Sequence, residues 1–178
     1  MTTIEFTLDS KSIGDAIDKI RNYRKQFEQK CQRVVSELAE LGYQTAYRIL
    51  SEHVFDGETL ASLRVEQVTG ADNIFVISAK SEAILILEFG SGLPAANSPH
   101  PEASKHGMGA GTLSEKGHFN DPNGWYYPTD DPRLIKRYNK DGTQGYGHSK
   151  GMKPQMPFYT AARDIERQIA DVVGRVIA

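Results

Sequence analysis

The chain has 178 residues, with 21 Lys and Arg against 23 Asp and Glu, and a net charge of −2 at pH 7. This balance provides no global basic field, which disfavours a DNA-wrapping role. The longest apolar run, Ala83 to Leu87, has five residues, whereas a membrane span needs about 20. The amino terminus resembles no secretory signal, and the single Cys31 excludes an intrachain disulfide framework and an all-thiolate metal site. We therefore expect one soluble domain made in a cytoplasm.

The first 53 residues predict a short strand and then a long helix. Residues 3–8 alternate polar and apolar side chains, as in a half-buried strand, and Asp9 and Ser10 can cap a following helix. Side chains then recur at alternating steps of four and three, all uncharged except Arg24: Ile13, Ile17, Ile20, Arg24, Phe27, Cys31, Val34, Leu38 and Leu41. This heptad spacing predicts a helix over Lys11–Leu41 of about 45 Å, with Gly42 as a candidate kink. Such a helix either lies across a sheet of its own domain or forms a seam between subunits.

The segment 54–92 predicts a small antiparallel unit. Apolar and polar residues alternate over 63–68, and Ile74–Ile77 is a run of residues that favour strands. Turn-forming residues at 70–73 lie between the two segments, so the three together predict a hairpin. The run Ala83–Leu87 is compatible with a strand or a helix, because periodicity does not distinguish the two in so short a run. It ends at the sequence Glu88-Phe89-Gly90-Ser91-Gly92.

Residues 93–150 differ in composition from the rest of the chain. The stretch from Gly90 to Gly151 contains 11 of the 16 glycines and four of the five histidines, but only five Leu, Ile, Val or Phe. Because it cannot bury enough apolar area to order as its own core, we predict an inserted, partly mobile loop or hairpin region. Within it, residues 124–128 and 146–148 are expected to pair around a turn at 140–142. Replacing residues 93–149 by a short linker is expected to change thermal stability little.

Pro157 and Phe158 open a predicted final helix that runs nearly to Ala178. Its apolar side chains fall on one face: Phe158, Ala161, Ala162, Ile165, Ile169, Val172, Val173 and Val176. The sequence thus predicts an α+β fold in which a long amino-terminal helix and a carboxy-terminal helix pack on a small antiparallel sheet. We assign residues 1–178 to one domain, with 93–150 as the insertion.

The candidates for catalytic or metal chemistry are weak. The insertion contains four histidines and three nearby aspartates, side chains that suit zinc or another divalent ion: His100, His106, His118, His148, Asp121, Asp130 and Asp131. The sequence contains no HxxxH or HExxH arrangement that would place two ligands on one helical face, so we expect solvated loop histidines. Cys31 takes a core position of the heptad, where its thiolate is disfavoured. We expect no enzymatic activity, catalytic residue, cofactor or metal site, with a small metal-dependent enzyme built on the insertion as the alternative.

A second alternative is the binding of single-stranded nucleic acid. Basic residues lie close in sequence to aromatic ones: Arg133, Lys136, Arg137 and Lys140 beside Trp125, Tyr126, Tyr127 and Tyr138. Basic side chains contact phosphates, and aromatic rings stack on bases. A hairpin with one face charged for solubility explains the same pattern, and we prefer that interpretation.

Two short segments carry a family resemblance. One contains Ala83, Glu88-Phe89-Gly90 and Gly92, and the other contains Pro157, Phe158 and Ala162. They resemble the Tyr-Ala-x-x-x-Glu-Phe-Gly-Thr-Gly and Arg-Pro-Phe patterns of the phage tail-component family typified by the gene-10 product of the siphophage Hong Kong 97. Three departures are Ser91 in place of Thr, Met156 in place of Arg and one extra residue between Ala83 and Glu88.

The order of elements extends this resemblance over nearly the whole chain. A long amino-terminal helix, a hairpin, the Glu88 segment and a last helix follow one another as in the family. The family's Thr-Gly-x-Leu order is lost around Asp56–Leu60. The stretch Gly124–Tyr127, followed by Lys150-Gly151-Met152, resembles the longer insertion of members from Gram-positive prophages.

The resemblance implies a structural protein of the phage or prophage neck or tail end, which acts in tail completion and head–tail joining within a closed ring. The implied partners are the connector, the tail terminator and the tail tube, with no membrane and no small-molecule substrate. The protein would occupy the host cytoplasm during assembly and the virion afterwards. The candidate interface residues are Glu88, Phe89, Gly90, Trp125, Tyr126, Tyr127, Pro157 and Phe158. We expect Glu88 either to pair across a subunit boundary or to be an exposed carboxylate at a helix end.

Overall fold

The structure is a computed structural model that describes residues 7–53, 57–71, 73–81, 83–108 and 123–178. The helices in these ranges are α1 (Ser10–His53), α2 (Gly57–Ala61), α3 (Ile84–Phe89), α4 (Gly92–Asn97) and α5 (Pro157–Ile177), with a 3-10 turn at Ala103–His106. The strands are β1 (Arg64–Gln67), β2 (Phe75–Ser78), β3 (Trp125–Pro128), β4 (Arg137–Tyr138) and β5 (Gly145–Ser149). The combination confirms the predicted α+β fold. Of the strand predicted at residues 3–8, only Thr7 and Leu8 lie within the described residues, and neither is in a strand.

Helix α1 is longer than the heptad predicted, because it continues past Leu41 to His53. Its 44 residues correspond to about 66 Å. The helix continues through Gly42 without interruption. A Cβ atom at Gly42 would lie 2.6 Å from the Ile165 side chain and 2.7 Å from that of Ile77. Gly42 therefore serves to bring α5 and β2 close to the axis of α1.

The main partner of α1 is α5, which runs antiparallel along its carboxy-terminal half. Val34 of α1 is buried together with Val172 and Val176 of α5. At the end of this contact, the Lys30 ammonium donates a hydrogen bond to the carbonyl oxygen of Ile177 at 2.9 Å. The 21 residues of α5 reach about 31 Å, so the amino-terminal part of α1 extends beyond the end of α5.

A second cluster of buried residues joins the remaining elements to the two long helices. Its members come from α1, α3, α5 and the residue before β1: Ala46, Leu50, Leu63, Leu87 and Ala161. The predicted hairpin is confirmed, with Arg64 opposite Ser78 and Gln67 opposite Phe75. The ambiguous run at 83–87 lies largely in helix α3, where Leu87 faces the core.

The insertion contributes a separate three-stranded antiparallel sheet with the order β3-β5-β4. The predicted pairing of its aromatic segments is confirmed, since Trp125 lies opposite Ser149 and Pro128 opposite Tyr146. The turn at residues 140–142 joins β4 to β5 rather than β3 to β5. A Cβ atom at Gly147 would lie within 2.9 Å of the Tyr127 ring. The absence of a side chain at Gly147 therefore allows the ring to pack over this strand.

Candidate functional site

The two segments that carry the family resemblance meet in one place, which we call the junction: residues 87–92, residues 151–159 and His100. Ser91 and Met152 exchange a pair of backbone hydrogen bonds at 2.9 and 3.0 Å. The carbonyl oxygen of Leu87 accepts hydrogen bonds from the amides of Gln155 at 2.8 Å and Met156 at 3.3 Å. The chain entering α5 is thereby fixed to the end of α3.

Glu88 caps helix α5 from a distant part of the chain. Its Oε2 accepts a hydrogen bond from the Phe158 amide, and its Oε1 accepts one from the Tyr159 amide, both at 2.9 Å. The first amides of a helix have no partner within the helix, and its amino terminus favours negative charge. The residue at the N-cap position, Met156, supplies no side-chain hydrogen bond and has a φ of 58°. Glu88 therefore provides the cap that the local sequence lacks.

His100 supplies the third partner of the Glu88 carboxylate. It is buried, with Nε2 3.2 Å from Glu88 Oε1, while its Nδ1 accepts a hydrogen bond from the Glu102 amide at 3.0 Å. Since Nδ1 is an acceptor, we assign the ring proton to Nε2, which makes His100 a neutral donor to the carboxylate. The rings of Phe89 and Tyr159 pack against the imidazole at centroid distances of 4.7 and 5.0 Å.

Two glycines allow the backbones of the junction to approach each other. Gly90 has a φ of 73°, and a Cβ atom on it would lie 2.7 Å from the carbonyl oxygen of Met152. Gly151 has a φ of 92°, and a Cβ atom on it would lie 2.2 Å from the carbonyl oxygen of Ser91. Both positions combine left-handed backbone with close backbone contact, so a side chain is excluded here for two separate reasons.

The structure corrects two sequence-based expectations at the junction. Glu88 is buried and not an exposed helix-end carboxylate, and the partners it was expected to find across a subunit boundary are groups of its own chain. His100 is a buried hydrogen-bonding residue and not a solvated loop histidine. No local pattern indicates the pairing of His100 with Glu88, because the two side chains are 12 residues apart and meet only through the turn after α4.

The other histidines occupy different surroundings. His106 is exposed, with its ring 5.7 Å from that of Phe89. His148 is half-buried beside Tyr126 on the three-stranded sheet. His118 and Asp121 lie outside the described residues. Within the described ranges, no three His, Cys, Asp or Glu side chains are placed to hold one metal ion.

An ion pair network forms the solvent-facing rim of the junction. The Glu102 carboxylate accepts a hydrogen bond from Lys105 at 2.8 Å and lies 3.8 Å from the Arg163 guanidinium. The Lys105 hydrogen bond, with smaller contributions from the charges nearby, lowers the pKa of Glu102 below its ordinary value. Arg163 also lies over the Tyr159 ring at 5.3 Å, so the rim links the His100 loop to the first turn of α5.

The aromatic candidates of the insertion lie on the separate sheet and not at the junction. Trp125 and Tyr127 are half-buried, whereas Tyr126 points outward from β3 and is 46% exposed. The Arg137 guanidinium stacks on the Tyr126 ring at 3.6 Å, and the His148 ring lies 4.7 Å away. We call this surface, formed by Tyr126, Arg137 and His148, the aromatic face.

Comparison of the chain with protein-family models, with curated proteins and with solved structures gives no match. Among the helices that the structure describes, none combines the length and the apolar character needed to cross a membrane.

Proposed function

We propose that this chain is a structural component of the neck or tail end of a phage or an integrated prophage, where it joins parts of the particle. The observation that carries the proposal is the junction. The Glu88 segment and the Pro157 segment resemble two separate patterns of one phage family, and they form a single buried contact although about 70 residues separate them. The occurrence of both family patterns in one chain is explained if the two segments together hold α3 against the start of α5.

The proposed task assigns different roles to the candidate interface residues. Glu88, Gly90 and Pro157 hold α3 against the start of α5 and fix the shape of the subunit. Tyr126 is exposed and stacked on Arg137, which supports the aromatic face as the proposed contact surface for a neighbouring neck or tail protein. Tyrosine and arginine are enriched among the residues that dominate the free energy of protein association. Copies of the subunit would close into a ring between connector and tail, with no bond made or broken.

Deleting the gene from its parent phage tests this assignment. We expect filled heads and separate tails that fail to join, both visible by electron microscopy of the lysate. Expression of the wild-type chain from a plasmid should restore joined particles and the infectious titre. Normal joined particles in the deletion strain would contradict the proposal.

Complementation with point variants tests the aromatic face. A Tyr126→Ala and Arg137→Ala double variant should reduce the infectious titre at least tenfold, with an unchanged circular dichroism spectrum. The matched control is Tyr138→Ala, since Tyr138 is 59% exposed and, as the neighbour of Arg137 on β4, points to the opposite side of the sheet. Equal loss with the control variant would argue against a specific role for the aromatic face.

A further inference from the structure

The amino-terminal half of α1 carries an apolar stripe on its surface. Ile13, Ile17, Ile20 and Phe27 are between 39% and 55% exposed. Ile13, Ile20 and Phe27 occupy the same heptad position as Val34, which α5 covers in the other half of the helix, and Ile17 occupies the second core position of the heptad. The stripe is therefore the continuation of the intrachain α1–α5 interface beyond the end of α5.

The end of α5 determines where this open part begins. Ile177 contacts Lys30 through a hydrogen bond, and Val176 packs on Val34. Because α5 runs antiparallel to α1, the groove that it fills continues from about residue 27 towards the amino terminus, where the apolar stripe is partly exposed. A helix entering that groove would lie in line with α5.

We propose that the stripe binds the same stripe of a second copy of this chain, in an antiparallel pair around a two-fold axis between Ile17 and Ile20. In the heptad, Ile13, Ile20 and Phe27 are d positions, and Ile17 and Arg24 are a positions. A parallel pair would place the Arg24 side chains of both copies in one layer, where their charges repel each other. An antiparallel pair places a against d and so separates the two arginines.

One antiparallel register fits the side chains and the end of α5. In this register Ile17 faces the partner's Ile20, and Ile13 faces the aliphatic stem of the partner's Arg24. The guanidinium of Arg24 already pairs with Glu28 of its own helix at 2.7 Å. The start of the partner's α1 then lies beside Phe27, just before the point where α5 ends.

The residues that flank this seam complement one another. Lys30 faces the partner's Asp9, which gives an attractive pair of opposite charges. Sliding the helices by one heptad into greater overlap would bring Arg21 against the partner's Arg21 and drive the partner's α1 into the end of α5. In the proposed register the carboxyl end of α5 meets the amino end of the partner's α1, where the two helix dipoles attract.

Sedimentation velocity over a range of concentrations tests the contact. We expect the wild-type chain to dimerise, and an Ile17→Asp and Ile20→Asp double variant to dimerise at least 100-fold more weakly with the same circular dichroism spectrum. The control is Ile169→Asp on α5, because Ile169 and Ile17 are equally exposed, at 43%; it should still dimerise. A wild-type chain that stays monomeric at tens of micromolar, or a double variant that dimerises as well as the wild type, would overturn the proposal.

Cysteine cross-linking in a Cys31→Ala background tests the orientation. In the antiparallel pair, an Ile13→Cys chain should form an intermolecular disulfide with an Arg24→Cys chain. Neither should do so alone, because each cysteine then lies about 16 Å along the helix axis from its own copy. Disulfides formed by each variant alone would indicate a parallel pair and overturn the proposal.

This contact is two-fold and closes at two copies, so it is separate from the proposed ring contact. A negative cross-linking result would therefore contradict the dimer contact alone, and a negative gene-deletion result would contradict the proposed function alone.

Discussion

The Oε1 atom of Glu88 lies 2.9 Å from the amide nitrogen of Tyr159, 71 residues further along the chain. This hydrogen bond places a carboxylate from α3 at the first turn of α5. Helix caps are usually supplied by the residue that precedes the helix. Here that residue is a methionine, and the cap comes from tertiary structure, so the start of α5 depends on the fold around it.

Replacing Glu88 should destabilise the protein more than any exposed acidic substitution. Glu88→Gln retains the shape of the side chain but removes its charge and one acceptor, and we expect a loss of about 2 kcal/mol in the free energy of unfolding. Glu88→Ala should lose about 3 kcal/mol or more, because two helix amides and His100 then lack their partner. Urea denaturation followed by circular dichroism gives both values. Asp171→Asn, at an exposed site on α5, is the control and should change stability by less than about 0.5 kcal/mol.

Gly90 and Gly70 compare a constrained glycine with an open one. Both have positive φ values, 73° and 81°, but Gly90 also has a ψ of −175°, in a region that essentially only glycine adopts. Of the two, only Gly90 would bring an added Cβ atom within 4 Å of other backbone atoms. Gly70→Ala should cost about 1 kcal/mol from backbone strain alone. Gly90→Ala adds the contact with Met152 and should cost at least about 3 kcal/mol, or prevent folding. Similar losses for the two variants in thermal melts would show that contact at the junction is unimportant.

Two helical glycines should respond to alanine in opposite directions. At Gly42 a Cβ atom meets the side chains of Ile165 and Ile77, whereas at Gly174 it meets nothing within 4 Å. Gly42→Ala should therefore destabilise the protein by about 1 kcal/mol. Gly174→Ala should stabilise it by up to about 1 kcal/mol, because alanine favours the helix. Urea melts of both variants measure the sign, and stabilisation by Gly42→Ala would contradict the packing described for α1 and α5.

Removing the insertion should be costly, contrary to the expectation from its composition. Replacing residues 93–149 by a short linker removes His100, a partner of Glu88, together with the buried Ala95 and Ala103. We expect a loss of about 2 to 4 kcal/mol from these contacts. Replacing only residues 109–149 retains all three side chains and should cost less. Thermal melts of the two variants decide the point, and equal stability of the longer deletion and the wild type would support the expectation from composition.

Elements with local signals could be predicted from the amino-acid sequence. The heptad from Ile13 to Leu41 predicts most of α1, and the single apolar face after Pro157 predicts α5. Alternating residues around the turn at 70–73 predict the β1–β2 hairpin in its observed place. These signals succeed because spacing along the chain sets which face of a helix or strand is apolar.

What those faces meet depends on the tertiary fold. The heptad of α1 has one spacing from end to end, yet α5 covers Val34 while leaving Ile17 exposed, because α5 ends beside Lys30. The sequence marks both segments of the junction but not their contact, for a similar reason. The environment of a carboxylate such as Glu88 depends on groups that folding brings from elsewhere in the chain, and hydrogen-bond partners so far apart leave no periodic pattern.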